Sequence, residues 1–134
     1  MVTFDAPDRQ VCTIRRPRSN TPLQALVTLN DPVYVEAAQS LARKLLTHDG
    51  SLEDKIGTGV ACVLIRPTKS IEIQHLVQLY ISALSHYRSN LEQAHLIATN
   101  PLGDPSHDAD QVELAAWTVV SNVLLNLDEI FMKR

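Results

Sequence analysis

Leu114-Ala115-Ala116-Trp117-Thr118-Val119-Val120-Ser121-Asn122-Val123-Leu124-Leu125-Asn126-Leu127 decides the fold. The stretch reads as a helix that is apolar nearly all round, and such a helix belongs at the centre of a bundle. Asp110 and Glu113 give it a box-like start. Thr118, Ser121, Asn122 and Asn126 interrupt it too often for a membrane span. Those polar residues, with Glu129, fall along one stripe. An unpaired buried amide costs about 1–3 kcal/mol, so the stripe needs partners. It is either a polar site lining a pocket or a structural network that holds an N-terminal arm or neighbouring backbone. The network is the expectation, because buried Asn commonly fixes geometry.

Moving outward, the chain supplies further helices. Asp31 as cap and Pro32 as first helical residue start one over about 32–47. Its periodic face is Tyr34, Ala37, Ala38, Leu41, Ala42 and Leu45, with Glu36, Gln39, Ser40, Arg43 and Lys44 opposite. A shorter helix precedes it from Pro22 to about Leu29, with Thr21 as cap. Ser51 and Asp54 resemble a capping box for a helix over 52–65 that places Leu52, Ile56, Val60, Val63 and Leu64 on one side. Gly57 and Gly59 inside it predict close packing against another helix. Arg66-Pro67-Thr68 ends that helix and Thr68 caps the next, about 69–88, which buries Ile73, Leu76, Val77, Tyr80, Leu84 and Tyr87. Asn90 is the expected cap of a short helix over 91–98, and Asn100 to Asp108 is a loop. The fold class predicted is all-α: a compact bundle of five or six helices behind an extended N-terminal arm.

The arm is residues 1–20, and the helical domain is 21–134. The chain has 134 residues, enough for one domain with its own core. Arg9, Arg15, Arg16 and Arg18 face only Asp5 and Asp8 in the arm, whereas residues 21–134 carry eight basic and thirteen acidic side chains. A basic arm on an acidic body is expected to fold back near Asp128 and Glu129. No helix carries the basic stripe of a nucleic-acid reader, so no nucleic-acid partner is expected. Cys12 and Cys62 form no C-x-x-C pair and read as free thiols.

Signals for chemistry are absent. His48, His75, His86, His95 and His107 include no i, i+4 pair and no H-E-x-x-H. Asp104, Asp108 and Asp110 lack the ligand spacing of a calcium loop. There is no G-x-S-x-G, no catalytic Cys signature, no C-x-x-C-H and no Gly-rich phosphate loop. No catalytic residue, metal site or cofactor is therefore expected in this chain, and enzymatic activity of the chain alone is not expected.

Phe4-Asp5-Ala6-Pro7-Asp8-Arg9, the run Cys12-Thr13-Ile14-Arg15-Arg16-Pro17-Arg18-Ser19-Asn20-Thr21-Pro22-Leu23-Gln24-Ala25-Leu26, and Leu29-Asn30-Asp31-Pro32 carry a family resemblance. So do Ala116-Trp117 and Asn122-Val123-Leu124-Leu125-Asn126-Leu127-Asp128-Glu129, with Arg66-Pro67-Thr68 as a weaker middle motif. Together they resemble the C-terminal domain of the large planctomycete-type proteins, in which a cytochrome-c-like haem domain is often followed by two domains of unknown function. Ser19 stands where that family would have Thr. The resemblance implies a parent that is much longer and exported or periplasmic, of which this chain is the tail without the haem motif. It implies no activity and no catalytic residues.

The expected function is a non-catalytic helical module for intramolecular docking or protein association within such a parent. Its partners would be the parent's upstream domains or another protein. The alternative is part of an enzyme, or a carbohydrate- or anion-binding site completed by an upstream domain; nucleic-acid binding through the arm ranks third. Candidate binding residues are Arg15, Arg16, Arg18, Asn20, Asn122, Asn126, Asp128 and Glu129. A pocket joining the arginines to Asn122 and Asn126 would favour the alternative, and a flat apolar face the module.

Overall fold

Helix starts in this protein follow local capping chemistry. The computed structural model describes residues 22–105 and 109–131. Among them lie seven helices and no strand: α1 Pro22–Asn30, α2 Pro32–Leu46, α3 Leu52–Leu64, α4 Ser70–Ser89, α5 Leu91–Thr99, α6 Gln111–Leu125 and α7 Asp128–Phe131. Asp31 Oδ1 accepts from Val33 N–H at 2.9 Å, and Pro32 occupies the first helical position. At α3 the Ser51 hydroxyl accepts from Asp54 N–H at 3.2 Å while Asp54 Oδ2 accepts from Ser51 N–H at 3.0 Å. Asp110 Oδ1 accepts from Val112 N–H at 2.9 Å.

The all-α reading holds, with one more helix than expected. The last long helix stops at Leu125 rather than Leu127, and α7 adds a single turn beyond it. Thr68 is not the cap of α4. That position is Lys69, whose N–H donates to Glu72 Oε2 at 2.9 Å. Asn90 occupies the N-cap position of α5, but its side chain makes no capping bond there; its amide donates back to His86 O at 3.1 Å. The arm falls outside the described residues.

Helix α6 is the axis of the bundle, packed against α2, α4, α5 and α3. Leu114 through Thr118, Val120, Ser121 and Leu124 are buried along it. Trp117 is 1% exposed and meets Tyr80 of α4 with ring centroids 4.8 Å apart. The Tyr80 hydroxyl donates to Glu113 Oε1 at 3.1 Å. Burial and this carboxylate both hold the phenol well above its usual titration range.

The two α3 glycines differ. A Cβ on Gly59 would lie 3.1 Å from both Leu124 and Leu45 side chains, closer than ordinary van der Waals contact, so both leucines would have to give way. Gly57 faces open space, and the packing expectation fails at that position. The α2 face is also turned from the expected one: Ala37 is exposed and Gln39 is fully buried. Gln39 is satisfied there. Its amide nitrogen donates to Ile97 O at 2.7 Å and Asn100 O at 2.8 Å, and its oxygen accepts from Leu102 N–H at 3.1 Å. Arg43, one turn on, donates to Gly103 O. These two side chains fix the start of the 100–110 connection.

Candidate functional site

Helix α1 lies against the C-terminal part of α6 with its polar side inward. Gln24 is 7% and Thr28 1% exposed, whereas Leu23, Leu26 and Leu29 are 58%, 59% and 39% exposed. The contact with α6 is polar. Asn122 Nδ2 donates to Leu29 O at 3.2 Å, and the Thr28 hydroxyl donates to Asn126 Oδ1. The carbonyls of Gln24 and Ala25 also lie within reach of that hydroxyl, at 3.1 and 3.0 Å. Its single proton serves one acceptor at a time. Thr118, higher on the stripe, donates to Leu114 O at 2.8 Å within its own helix. Ser121 Oγ and Asn122 Oδ1 are buried without a hydrogen-bond partner. Asn122 and Asn126 thus hold α1, and Thr118 and Ser121 make no hydrogen bond to it.

Glu129 belongs to a second cluster, centred on Arg66. The chain leaves α3 through Ile65, whose φ of 53° is left-handed and strained for a β-branched side chain. That turn delivers Arg66 between α4 and α7. Its Nε and Nη2 donate to Glu129 Oε2 and Oε1 at 2.8 and 2.9 Å. Nη1 and Nη2 donate to Glu72 Oε2 and Oε1 at 3.0 and 2.8 Å, and Nη1 also reaches Pro67 O at 3.1 Å. All five guanidinium N–H groups therefore have acceptors, and both carboxylates are held bidentately. The hydrogen bonds from Arg66, then the Lys69 N–H, lower the Glu72 carboxyl to about 2. Arg66 likewise holds Glu129 below the usual carboxylate range.

Glu129 was expected to meet an arm arginine, and among the described residues its cation is Arg66. Arg15, Arg16, Arg18 and Asn20 lie outside the described residues. Asp128 is exposed in the first turn of α7. Of the candidates, the structure links Asn122 and Asn126 to one helix and Glu129 to another cluster. Sequence reasoning missed Arg66 and Gln39 as organising side chains. In the sequence Arg66 reads as a helix stop and as part of a weak family motif, with no role for its charge. A signal lay six residues on, at Glu72, the first-turn acid of α4.

Other chemistry-bearing side chains are dispersed. Cys62 is exposed and unpaired, with Lys44 Nζ 3.9 Å from its sulfur; Cys12 lies outside the described residues. His95 Nδ1 is 3.3 Å from Gln111 Oε1, and the His86 ring stands edge-on to Tyr87 at 5.1 Å. No group of three or more His, Cys, Asp or Glu among the described residues is placed to hold a metal ion. A shallow cleft of about 410 Å³ on α4 and α5 is lined by Tyr87, Gln93, Leu96, Ile97 and Asn100, none of them charged. Among the described residues, no helix is long and apolar enough to cross a membrane.

No curated protein and no solved structure matches the chain. A family model, PSD1, described as a protein of unknown function (DUF1553), matches residues 1–80. The match takes in α1, α2, α3, Arg66 and Glu72; Glu129 and the asparagines of α6 lie beyond it. Because the match covers more than half of the sequence, this chain belongs to the PSD1 family of unknown function (DUF1553).

Proposed function

We propose that this chain is a non-catalytic helical module for protein association, the C-terminal part of a larger, exported protein of planctomycete type. One observation carries the reading: α1 turns its polar residues inward and leaves Leu23, Leu26 and Leu29 facing out. A surface helix ordinarily does the reverse, and contiguous exposed apolar side chains mark contact surfaces. The polar candidates support it from the other side. Asn122 and Asn126 are engaged in holding α1, and Glu129 is engaged by a fully coordinated Arg66. The parent, its export and the terminal placement rest on the resemblance carried by residues 4–32 and the closing segment.

The test expresses the remainder of the parent reading frame separately and titrates the 134-residue chain into it by calorimetry. Saturable binding is expected, weakened at least about tenfold by Leu26→Asp, a loss of roughly 1.4 kcal/mol or more. Absence of binding at about 100 μM, a concentration that half-populates a contact of about −5.5 kcal/mol, overturns the reading. So does turnover of an ester or glycoside panel by the chain alone.

A further inference from the structure

We propose that the seating of α1 and the seating of the C-terminal turn α7 are coupled through Asn126, so that the Arg66–Glu129 ion pair governs how firmly the outward leucines of α1 are presented. The inference rests on the association reading above and names the regulation of its face. Asn126 stands where the two elements meet. Its side chain accepts from the Thr28 hydroxyl of α1, and only Leu127 separates its backbone from α7. Its φ of −102° and ψ of 9° are already off the helical path, and its N–H is divided between Asn122 O and Val123 O, each at 3.1 Å. The end of a helix is the first part to yield.

Each tethered element is weak by itself. Helix α7 has four residues, far short of the roughly 12–15 that an isolated helix needs. It is held from outside, by Arg66 at Glu129. Arg66 is a fixed post for it, because two further bonds tie the guanidinium to Glu72 in the first turn of the 20-residue α4. Helix α1 has nine residues and turns Leu23, Leu26 and Leu29 away from the body, so its hold on α6 rests on hydrogen bonds. These are Thr28 at Asn126 and Leu29 O at Asn122, one turn earlier on α6. Thr28 supplies the two states. With Asn126 in place its proton goes to Oδ1. With Asn126 displaced it turns back to Gln24 O or Ala25 O, at 3.1 and 3.0 Å within α1, and no buried donor is stranded. Release at Thr28 therefore costs little, and a shift of the 126–129 segment tips it. Leu127 is the opposing influence: it packs against the core, and a rigid pin there would let α7 move without Asn126.

The test is native-state amide exchange of the full 134-residue chain. Glu129→Gln removes the charge that Arg66 holds. It is expected to quicken exchange across α1, at Asp31 N–H on Val27 O among others, about threefold or more, while the buried α6 amides hold. Glu92→Gln, an equal change of charge at an exposed first-turn acid of α5, leaves α1 as it is. Thr28→Val keeps the shape and removes the hydroxyl. It quickens α1 exchange and, because coupling is reciprocal, that of the Ile130 N–H on Leu127 O. In that background Glu129→Gln adds nothing further at α1. Thr28→Ser restores the response, and Asn126→Ala cuts the same bond from the other side should the valine disturb α1. The coupling is overturned by α1 exchange that ignores Glu129→Gln, by effects of Glu129 and Thr28 that simply add, or by acceleration spread equally over α6. Exchange needs no partner, so the two readings fail separately. Coupled exchange in a chain that ignores the parent remainder keeps the coupling and removes the association reading; binding with uncoupled exchange does the reverse.

Discussion

Helices α6 and α1 are both rich in Leu and Val, and they are turned opposite ways. Helix α6 is sealed on nearly every side by α2, α3, α4 and α5. Helix α1 buries Gln24 and Thr28 and exposes three leucines. The difference lies in what each helix meets. The floor beneath α1 is the asparagine end of α6, so the α1 residues that fit are those that can hydrogen-bond. Its leucines are left outside. Apolar content alone does not say which helix is inner; the polarity of the surface it must cover does.

The sharpest way to break this comparison is at Trp117. Trp117→Ala removes the largest side chain of the sealed axis and its contact with Tyr80, and should destabilise the whole domain by about 3–5 kcal/mol in urea unfolding. An effect below about 1 kcal/mol would mean that α6 is not the axis.

Next comes the glycine pair of α3. Gly59→Ala pushes a methyl group against Leu124 and Leu45 at 3.1 Å, with an expected loss of about 1–3 kcal/mol. Gly57→Ala meets nothing within 4 Å, and should stabilise by about 0.4–1 kcal/mol through helix propensity and a less free unfolded chain. Thermal melts of the two single variants moving in opposite directions test how closely α3 rests on the axis.

Asn126→Ala addresses α1. Removing the acceptor of the Thr28 hydroxyl should lower stability by only about 1 kcal/mol. Its signature is local: amide exchange across α1 quickens while that of α6 holds. Uniform acceleration in both helices would show that α1 and α6 unfold as one unit.

The smallest effect is expected at Glu72. Its folded carboxyl titrates at about 2, below the ordinary 4.5, so its contribution is present above pH 4.5 and is lost as pH falls toward 2. Glu72→Gln should flatten the stability-against-pH curve in that window and leave the neutral-pH curve's shape unchanged. Exposure to solvent keeps the change small. An acid limb identical in both proteins would show that Arg66 does not favour the folded carboxylate.

What was legible in the sequence is what is decided locally. Asp31, Ser51 and Asp110 act within three residues of themselves, and each caps as read. The central helix announced itself because its pattern leaves no polar side. The sequence pattern puts Gln39 on the outer face because Ala37 and Ala38 define a face weakly; small side chains fit either side of a helix. Its partners, Ile97, Asn100 and Leu102, are remote in sequence. Arg66 meets Glu129 across 63 positions, and no local pattern reports such a pair. That Asn122 and Asn126 hold α1 is not legible in the pattern, since a leucine-rich segment reads as one that buries its leucines.

Gln39 also decides where this chain tolerates added length. One side chain on α2 holds the Ile97 carbonyl of α5 together with the Asn100 carbonyl and Leu102 amide of the following connection, so residues 97–102 behave as part of the helix framework although 100–102 are not helical. Beyond Gly103 no such tie recurs among the described residues until α6 begins at Gln111. A short Gly-Ser insertion after Asp104 should leave the melting temperature nearly unchanged, because lengthening a surface loop adds little closure entropy. The same insertion after Asn100 would pull Leu102 away from Gln39 and leave a buried amide oxygen unpaired, a loss of about 1–3 kcal/mol. Within one connection of the fold, a few residues separate sequence that can drift in length from sequence that cannot.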